Sequence, residues 1–81
     1  MDAHLGNLLA FAHLVRAGSV SDAAAQLGVS QSAVTQRLQK LESAVGSKLY
    51  MRERGRMTLT PAGQDILHVA ERQAELSLLI N

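Results

Sequence analysis

Eighty-one residues hold one domain with no room for a second core, and a chain this short buries only about 60% of the surface that its unfolded form exposes. It contains no cysteine, which excludes a disulfide framework and most structural zinc sites and suits a reducing compartment. The net charge of +1 conceals a strong polarity. Residues 37–56 carry Arg37, Lys40, Lys48, Arg52, Arg54 and Arg56 against only Glu42 and Glu53, while the segments before and after are net acidic. Positive charge concentrated in this way points to a polyanionic partner.

The opening stretch, MDAHLGNLLAFAHLV, is apolar but begins with an acid, has no Lys or Arg before Arg16, and carries Asn7 and His13 inside the apolar run. A signal peptide needs a basic start and a membrane span needs about 20 apolar residues, so a cytoplasmic protein is expected. Leu5, Leu8, Phe11, Ala12 and Val15 recur at helical spacing and mark one face of a first helix, closed by Gly18 in Ala17-Gly18-Ser19. Ser19-Val20-Ser21-Asp22 reads as a capping box that opens a short second helix, Val20–Leu27, stopped by Gly28. Two turns are not stable alone, and the alanines of DAAAQL make sense if another helix crosses closely.

A third helix, Gln31–Val45, starts after the N-cap Ser30 and ends at Gly46. Val34, Leu38, Leu41 and Val45 form its buried stripe. At about 100° per residue, Gln31, Thr35, Gln39, Ser32 and Gln36 share one polar arc away from that stripe, with Arg37 and Lys40 beyond its far edge. A short helix, a turn of Gly28-Val29-Ser30 and a second helix make a helix-turn-helix, with Ala24 at the crossing and Val29 and Val34 filling the angle. An ordinary helical hairpin has the same outline; the polar arc separates the two. Gln, Ser and Thr both donate and accept, as reading base edges in a DNA major groove requires, and they crowd the first two turns, where recognition helices touch bases.

LYMR then has strand composition, ERGR reads as a turn and MTL as a return strand, a β-hairpin too short to stand alone. Arg52, Arg54 and Arg56 alternate along it. A solvated turn explains them blandly; beside a recognition helix they read as a wing along the DNA backbone and minor groove. Thr60-Pro61 restarts helix, which runs on toward Asn81. Ile66, Val69, Gln73, Leu76 and Ile80 step three-four-three-four, a heptad-like seam. A helix projecting from so small a domain has nothing of its own to pack on, so a homodimer through this seam is expected.

These blocks in this order, a first helix ending AGS, then DAAAQLGVSQSAVTQRLQKLE, LYMR and LTPAG, resemble the DNA-binding domain of LysR-type transcriptional regulators over nearly the whole chain. The resemblance implies a mainly α fold: a winged helix-turn-helix of three helices plus a two-stranded β-hairpin wing in residues 1–59, then a long C-terminal linker helix in 60–81 that pairs with its twofold mate. Such dimers bind double-stranded DNA at interrupted palindromes near promoters, and full-length members commonly act as tetramers. The family's base-contacting glutamine corresponds to Gln31. Its next residue, a proline, is replaced by Ser32, so packing of that proline on a thymine methyl does not carry over. The family's serine one turn on corresponds to Thr35, and its specificity-setting positions to Gln36 and Arg37. Its wing arginine corresponds to Arg52. A second one falls on Gly55, flanked by Arg54 and Arg56, either of which could take the minor-groove role.

Base readout is therefore expected from Gln31, Ser32, Thr35 and Gln36, and backbone or minor-groove contact from Ser30, Arg37, Lys40, Arg52, Arg54 and Arg56, in a nucleoid-associated protein with no cofactor. The family's effector-binding domain lies outside these residues, which are read as part of a longer regulator. The main alternative is a winged helix that binds protein without specific DNA readout. Catalysis has little to stand on: His4, His13 and His68 lack zinc-site spacing, and no carboxylate pair or phosphate-cradling loop is present. Phe11 and Tyr50, at core-like positions, offer no platform for single-stranded nucleic acid.

Overall fold

The computed structural model describes residues 5–53 and 56–80, without the side chains of Arg56 and residues 77–80. His4 and Arg54, and the side chains of Arg56 and Ile80, therefore lie outside the described part. The elements follow in the order α1 (Leu5–Ala17), α2 (Val20–Leu27), α3 (Gln31–Val45), β1 (Tyr50–Glu53), β2 (Arg56–Leu59) and α4 (Pro61–Ile80). This is a winged helix-turn-helix followed by a long helix, the architecture that the sequence led us to expect.

The ends of the first three helices are set by local chemistry. Gly18 (φ 83°) closes α1 and donates its N–H to the Leu14 carbonyl at 2.9 Å. The Ser19 hydroxyl accepts the Asp22 N–H at 3.1 Å and opens α2, with Asp22 at the positive end of the helix dipole. Gly28, left-handed at φ 70°, closes α2. Ser30 caps α3 by accepting the Ala33 N–H at 3.1 Å, and Gly46, also left-handed, ends it.

Helix α1 is the post on which the others are mounted: α2, α3 and α4 all pack against it. Sequence periodicity marked one face, but Ala10 and Leu14 are as buried as Leu8, Phe11 and Ala12, and Asn7 is buried too. A helix covered from two directions has no single apolar stripe, whereas Leu5 and Val15 are only partly covered. Phe11, Leu14, Leu38, Leu49 and Val34 are the largest fully buried side chains, each stabilising the fold by about 1.5–3 kcal/mol relative to exposure. The α3 stripe holds for Val34, Leu38 and Leu41 but not for Val45, which is 38% exposed. Val45 is the last helical residue, and the chain turns away at Gly46 instead of continuing a turn that would cover it.

Strands β1 and β2 pair antiparallel, with Tyr50 opposite Leu59, Met51 opposite Thr58, Arg52 opposite Met57 and Glu53 opposite Arg56. The ladder thus takes in Glu53 and Arg56, which the sequence reading had assigned to the turn. Leu49, read as the first strand residue, instead precedes β1 as a fully buried anchor.

Helix α4 is capped by Thr60, whose Oγ1 accepts the Gly63 N–H at 3.0 Å and donates to the Lys48 carbonyl at 2.6 Å. Its first half does not project freely. Ala62, Ile66 and Leu67 pack on the core and Ala70 is fully buried, so α4 covers the side of α1 left open by α2 and α3. Gly63 sits so close to the preceding loop that a Cβ there would overlap the Leu49 carbonyl oxygen. Gly63→Ala is expected to destabilise the domain by about 1–3 kcal/mol, since a backbone carbonyl cannot yield as a flexible side chain would. By contrast, Gly6 lies within α1 with open space around it, and Gly6→Ala should stabilise by about 0.5–1 kcal/mol. Thermal or urea unfolding of the two variants beside the parent checks both signs.

Candidate nucleic-acid interface

Ala23 and Ala24 are 0% and 4% exposed in the core that α2 shares with α3, and side chains this small leave room for the two helices to pack closely. That packing holds Val34, Leu38 and Leu41 inward and turns the opposite side of α3 to solvent. Gln31, Ser32, Gln36 and Gln39 are exposed and Thr35 is partly so; Lys40 is exposed and Arg37 half-buried at the far edge. Ser30 uses its oxygen to accept the Ala33 N–H, which leaves its hydroxyl proton free to donate outward.

The wing is aimed by its register. Directly paired residues of an antiparallel ladder share a face, which groups Tyr50, Arg52, Met57 and Leu59 against Met51, Glu53 and Thr58. Tyr50, Met57 and Leu59 pack on the core, so Arg52 belongs to the inward face. It lines a groove of about 240 Å³ together with Gln31, Ser19, Ser21 and Tyr50. Gln31 and Arg52, 21 positions apart in the sequence, are thereby brought to one groove. Tyr50, Ser19 and Ser21 were not singled out as interface residues. Strand alternation placed Tyr50 beside Arg52, but only the tertiary packing shows that the α2 N-terminus completes the groove.

Tyr50 also lines a second groove with Glu42, Lys48, Met51 and Arg52. Burial pushes the Tyr50 phenol above its ordinary value, the Glu42 carboxylate adds to the rise and the Arg52 guanidinium opposes it. The phenol is therefore neutral and a hydrogen-bond donor at physiological pH. Among the described residues the one ion pair joins Lys48 to Glu42 at 3.8 Å. Arg37, Lys40 and Arg52 have no such partner there, and their charges remain available to an anion.

The residues of the heptad-like seam divide between two sides of α4. Ile66 packs on the core and Gln73 is half-covered, while Val69 and Leu76 are 46% and 43% exposed. Among the described residues no group of three or more His, Cys, Asp or Glu is placed to hold a metal, and no helix is long and apolar enough to cross a membrane.

The fold and the paired arrangement of arc and wing define a winged helix-turn-helix with one polar, basic side. Residues 5–64 match the family described as bacterial regulatory helix-turn-helix protein, lysR family, and the chain belongs to that family. It is 44% identical over 71 residues to the HTH-type transcriptional regulator YofA of Bacillus velezensis, covering 88% of this chain and 25% of that protein. Among solved structures, the CbnR DNA-binding domain in complex with DNA superposes with a TM-score of 0.82 at 35% identity, covering 95% of this chain and 86% of that one. The BenM DNA-binding domain in complex with catB site 1 DNA gives 0.84 at 25% identity, with 99% and 89% coverage. The chain thus spans about a quarter of the full-length regulator YofA and most of each isolated DNA-binding domain.

The Ser30 cap gives a direct check on how α3 is held. Ser30→Ala should lower stability by about 1 kcal/mol and Ser30→Asp should restore it, since aspartate caps equally well. Urea titration of the three proteins reads the difference.

Proposed function

We propose that this chain is the part of a LysR-type transcriptional regulator that binds double-stranded DNA sequence-specifically, as a homodimer on a dyad-symmetric site. Helix α3 lies in the major groove, where Gln31, Ser32, Thr35 and Gln36 read base edges. The wing, residues 50–58, meets the backbone and minor groove through Arg52 and the flanking Arg54 and Arg56, with Ser30, Arg37 and Lys40 on phosphates. The observation that carries the reading is the convergence of Gln31 and the unpaired Arg52 on one groove, beside an exposed arc of Gln and Ser. The DNA complexes of the CbnR and BenM domains support it. Association is assigned to residues 60–81, where Val69 and Leu76 leave apolar surface uncovered.

Fluorescence anisotropy on a duplex selected from a random pool tests the binding. Affinity should fall with salt at a log–log slope of about −0.9 per phosphate neutralised. Gln31→Ala should cost about 1–3 kcal/mol at particular base pairs and relax the preference there. Arg52→Ala should weaken all duplexes alike and make the salt slope shallower by about 1. Binding indifferent to both salt and sequence would leave the protein-binding winged helix as the better reading.

Sedimentation separates the two sides of α4. Leu76→Glu should give a folded monomer, because Leu76 is exposed in the single chain. Ile66→Glu should unfold the domain, because it sets a charge against the core. A folded dimer of Leu76→Glu would place the association surface elsewhere.

A further inference from the structure

We propose that Glu42 is a positioning residue for DNA binding, holding the wing at the angle at which Arg52 and Gln31 face the same groove. This rests on the DNA-binding reading above. Glu42 belongs to the recognition helix itself, and at about 100° per residue it falls roughly 20° from Gln31, three turns further on. It therefore falls at the edge of the polar arc nearest the buried stripe, between Gln31 and Thr35, but unlike them it is covered by the loop that leads into the wing.

This one residue holds both ends of the connection from α3 to the wing. Its backbone carbonyl accepts the Gly46 N–H at 2.8 Å and the Ser47 N–H at 3.3 Å, which fixes the start of the loop. Its carboxylate Oε2 accepts the Leu49 N–H at 2.9 Å, which fixes the end, immediately before β1. The Glu42 side chain is 13% exposed, whereas that of its ion-pair partner Lys48, at 3.8 Å, is 79% exposed. An ion pair so open to water contributes little; the charge-assisted bond to the Leu49 amide is the stronger link. In the backbone packing the hairpin leans on α4 through β2. The Glu42 carboxylate is thus the direct hydrogen bond between the recognition helix and the wing entrance among the described residues. Without it the wing entrance keeps its anchor to Thr60 and its backbone connection through Gly46 and Ser47 but loses its side-chain bond to α3, and the wing can shift while α3 stays in place.

A double-mutant cycle on the intact chain tests this, with unfolding curves confirming that each variant is folded. Glu42→Ala should lose about tenfold in affinity for the selected duplex, comparable to one charge-assisted contact. In the Glu42→Ala background Arg52→Ala should then cost much less than it does alone, since the wing is already misplaced, whereas Gln31→Ala should keep its full effect. Glu42→Gln, which retains an acceptor oxygen, should bind within about twofold of the parent if the hydrogen bond and not the charge matters. Additive losses for Glu42→Ala with Arg52→Ala, or a Glu42→Gln variant as impaired as Glu42→Ala, would overturn the proposal. Should Glu42→Ala fail to fold, Glu42→Asp, one methylene short with the charge kept, takes its place in the cycle. An arm without DNA isolates the geometry: the Leu49 amide should exchange with solvent faster in Glu42→Ala and at the parent rate in Glu42→Gln. Unchanged exchange defeats the Glu42 assignment, whereas faster exchange in a protein that binds no duplex defeats only the DNA-binding reading.

Discussion

Leu49 is held from every direction. The Glu42 carboxylate accepts its N–H, its carbonyl accepts the Thr60 N–H at the head of α4 at 3.1 Å, and its side chain is fully buried. Gly63 lies against the same carbonyl with no space for a Cβ, and the Thr60 hydroxyl holds the neighbouring Lys48 carbonyl. A hairpin of two four-residue strands has no core of its own, so its orientation must come from its ends. Both ends meet at this residue. The recognition helix enters through Glu42, the last helix leaves through Thr60 and Gly63, and the wing springs from the point between them.

The rest of the domain serves to hold a two-turn helix and its neighbour against α1. Helix α2 is too short to persist in water, and it does so here because Val20, Ala23 and Ala24 are buried and Ser19 and Gly28 close its ends. The small side chains on α2 let α3 come near, and that proximity directs the polar arc outward. Charge follows the same division. The last helix, with Asp65, Glu71 and Glu75 against Arg72, is net acidic, while the segment from α3 through the wing is net basic. Fold and electrostatics therefore agree on one outward side.

Much of this could be read from single residues because helix ends are local events. Ser19, Gly28, Ser30, Gly46 and Thr60-Pro61 announce where the chain starts and stops coiling, and the structure puts caps and left-handed glycines at those positions. What escaped the sequence depends on neighbours distant along the chain. Leu14 and Ala10 are buried because α2, α3 and α4 pack on α1 from more than one side, which no periodicity in α1 itself records. Val45 continues a stripe in the sequence but has nothing opposite it. Ile66 steps with the expected association seam, and it also packs on the core, partly buried. The groove uniting Gln31, Arg52, Tyr50 and the serines of α2 joins three separate stretches of chain, so the interface residues were legible one at a time but their meeting was not. Gly63 offered the same lesson: its reason lies in the Leu49 carbonyl and not in its own helix.

The burial of Ala70 reaches further than its size suggests. The family match ends at residue 64, one turn into α4, but Ile66, Leu67 and Ala70 are what close the core over α1. The unit that folds is therefore longer than the stretch that the family match covers. A protease cut or gene fusion placed just beyond the wing would leave every side chain of the α3 arc and the wing intact and still strip one wall from the hydrophobic interior. The same helix carries Val69 and Leu76 on its outer flank, so solvent-side apolar surface and core wall are two faces of one rod. Any force that tilts the rod from outside is felt at α1, and through α1 at the helix that faces the groove.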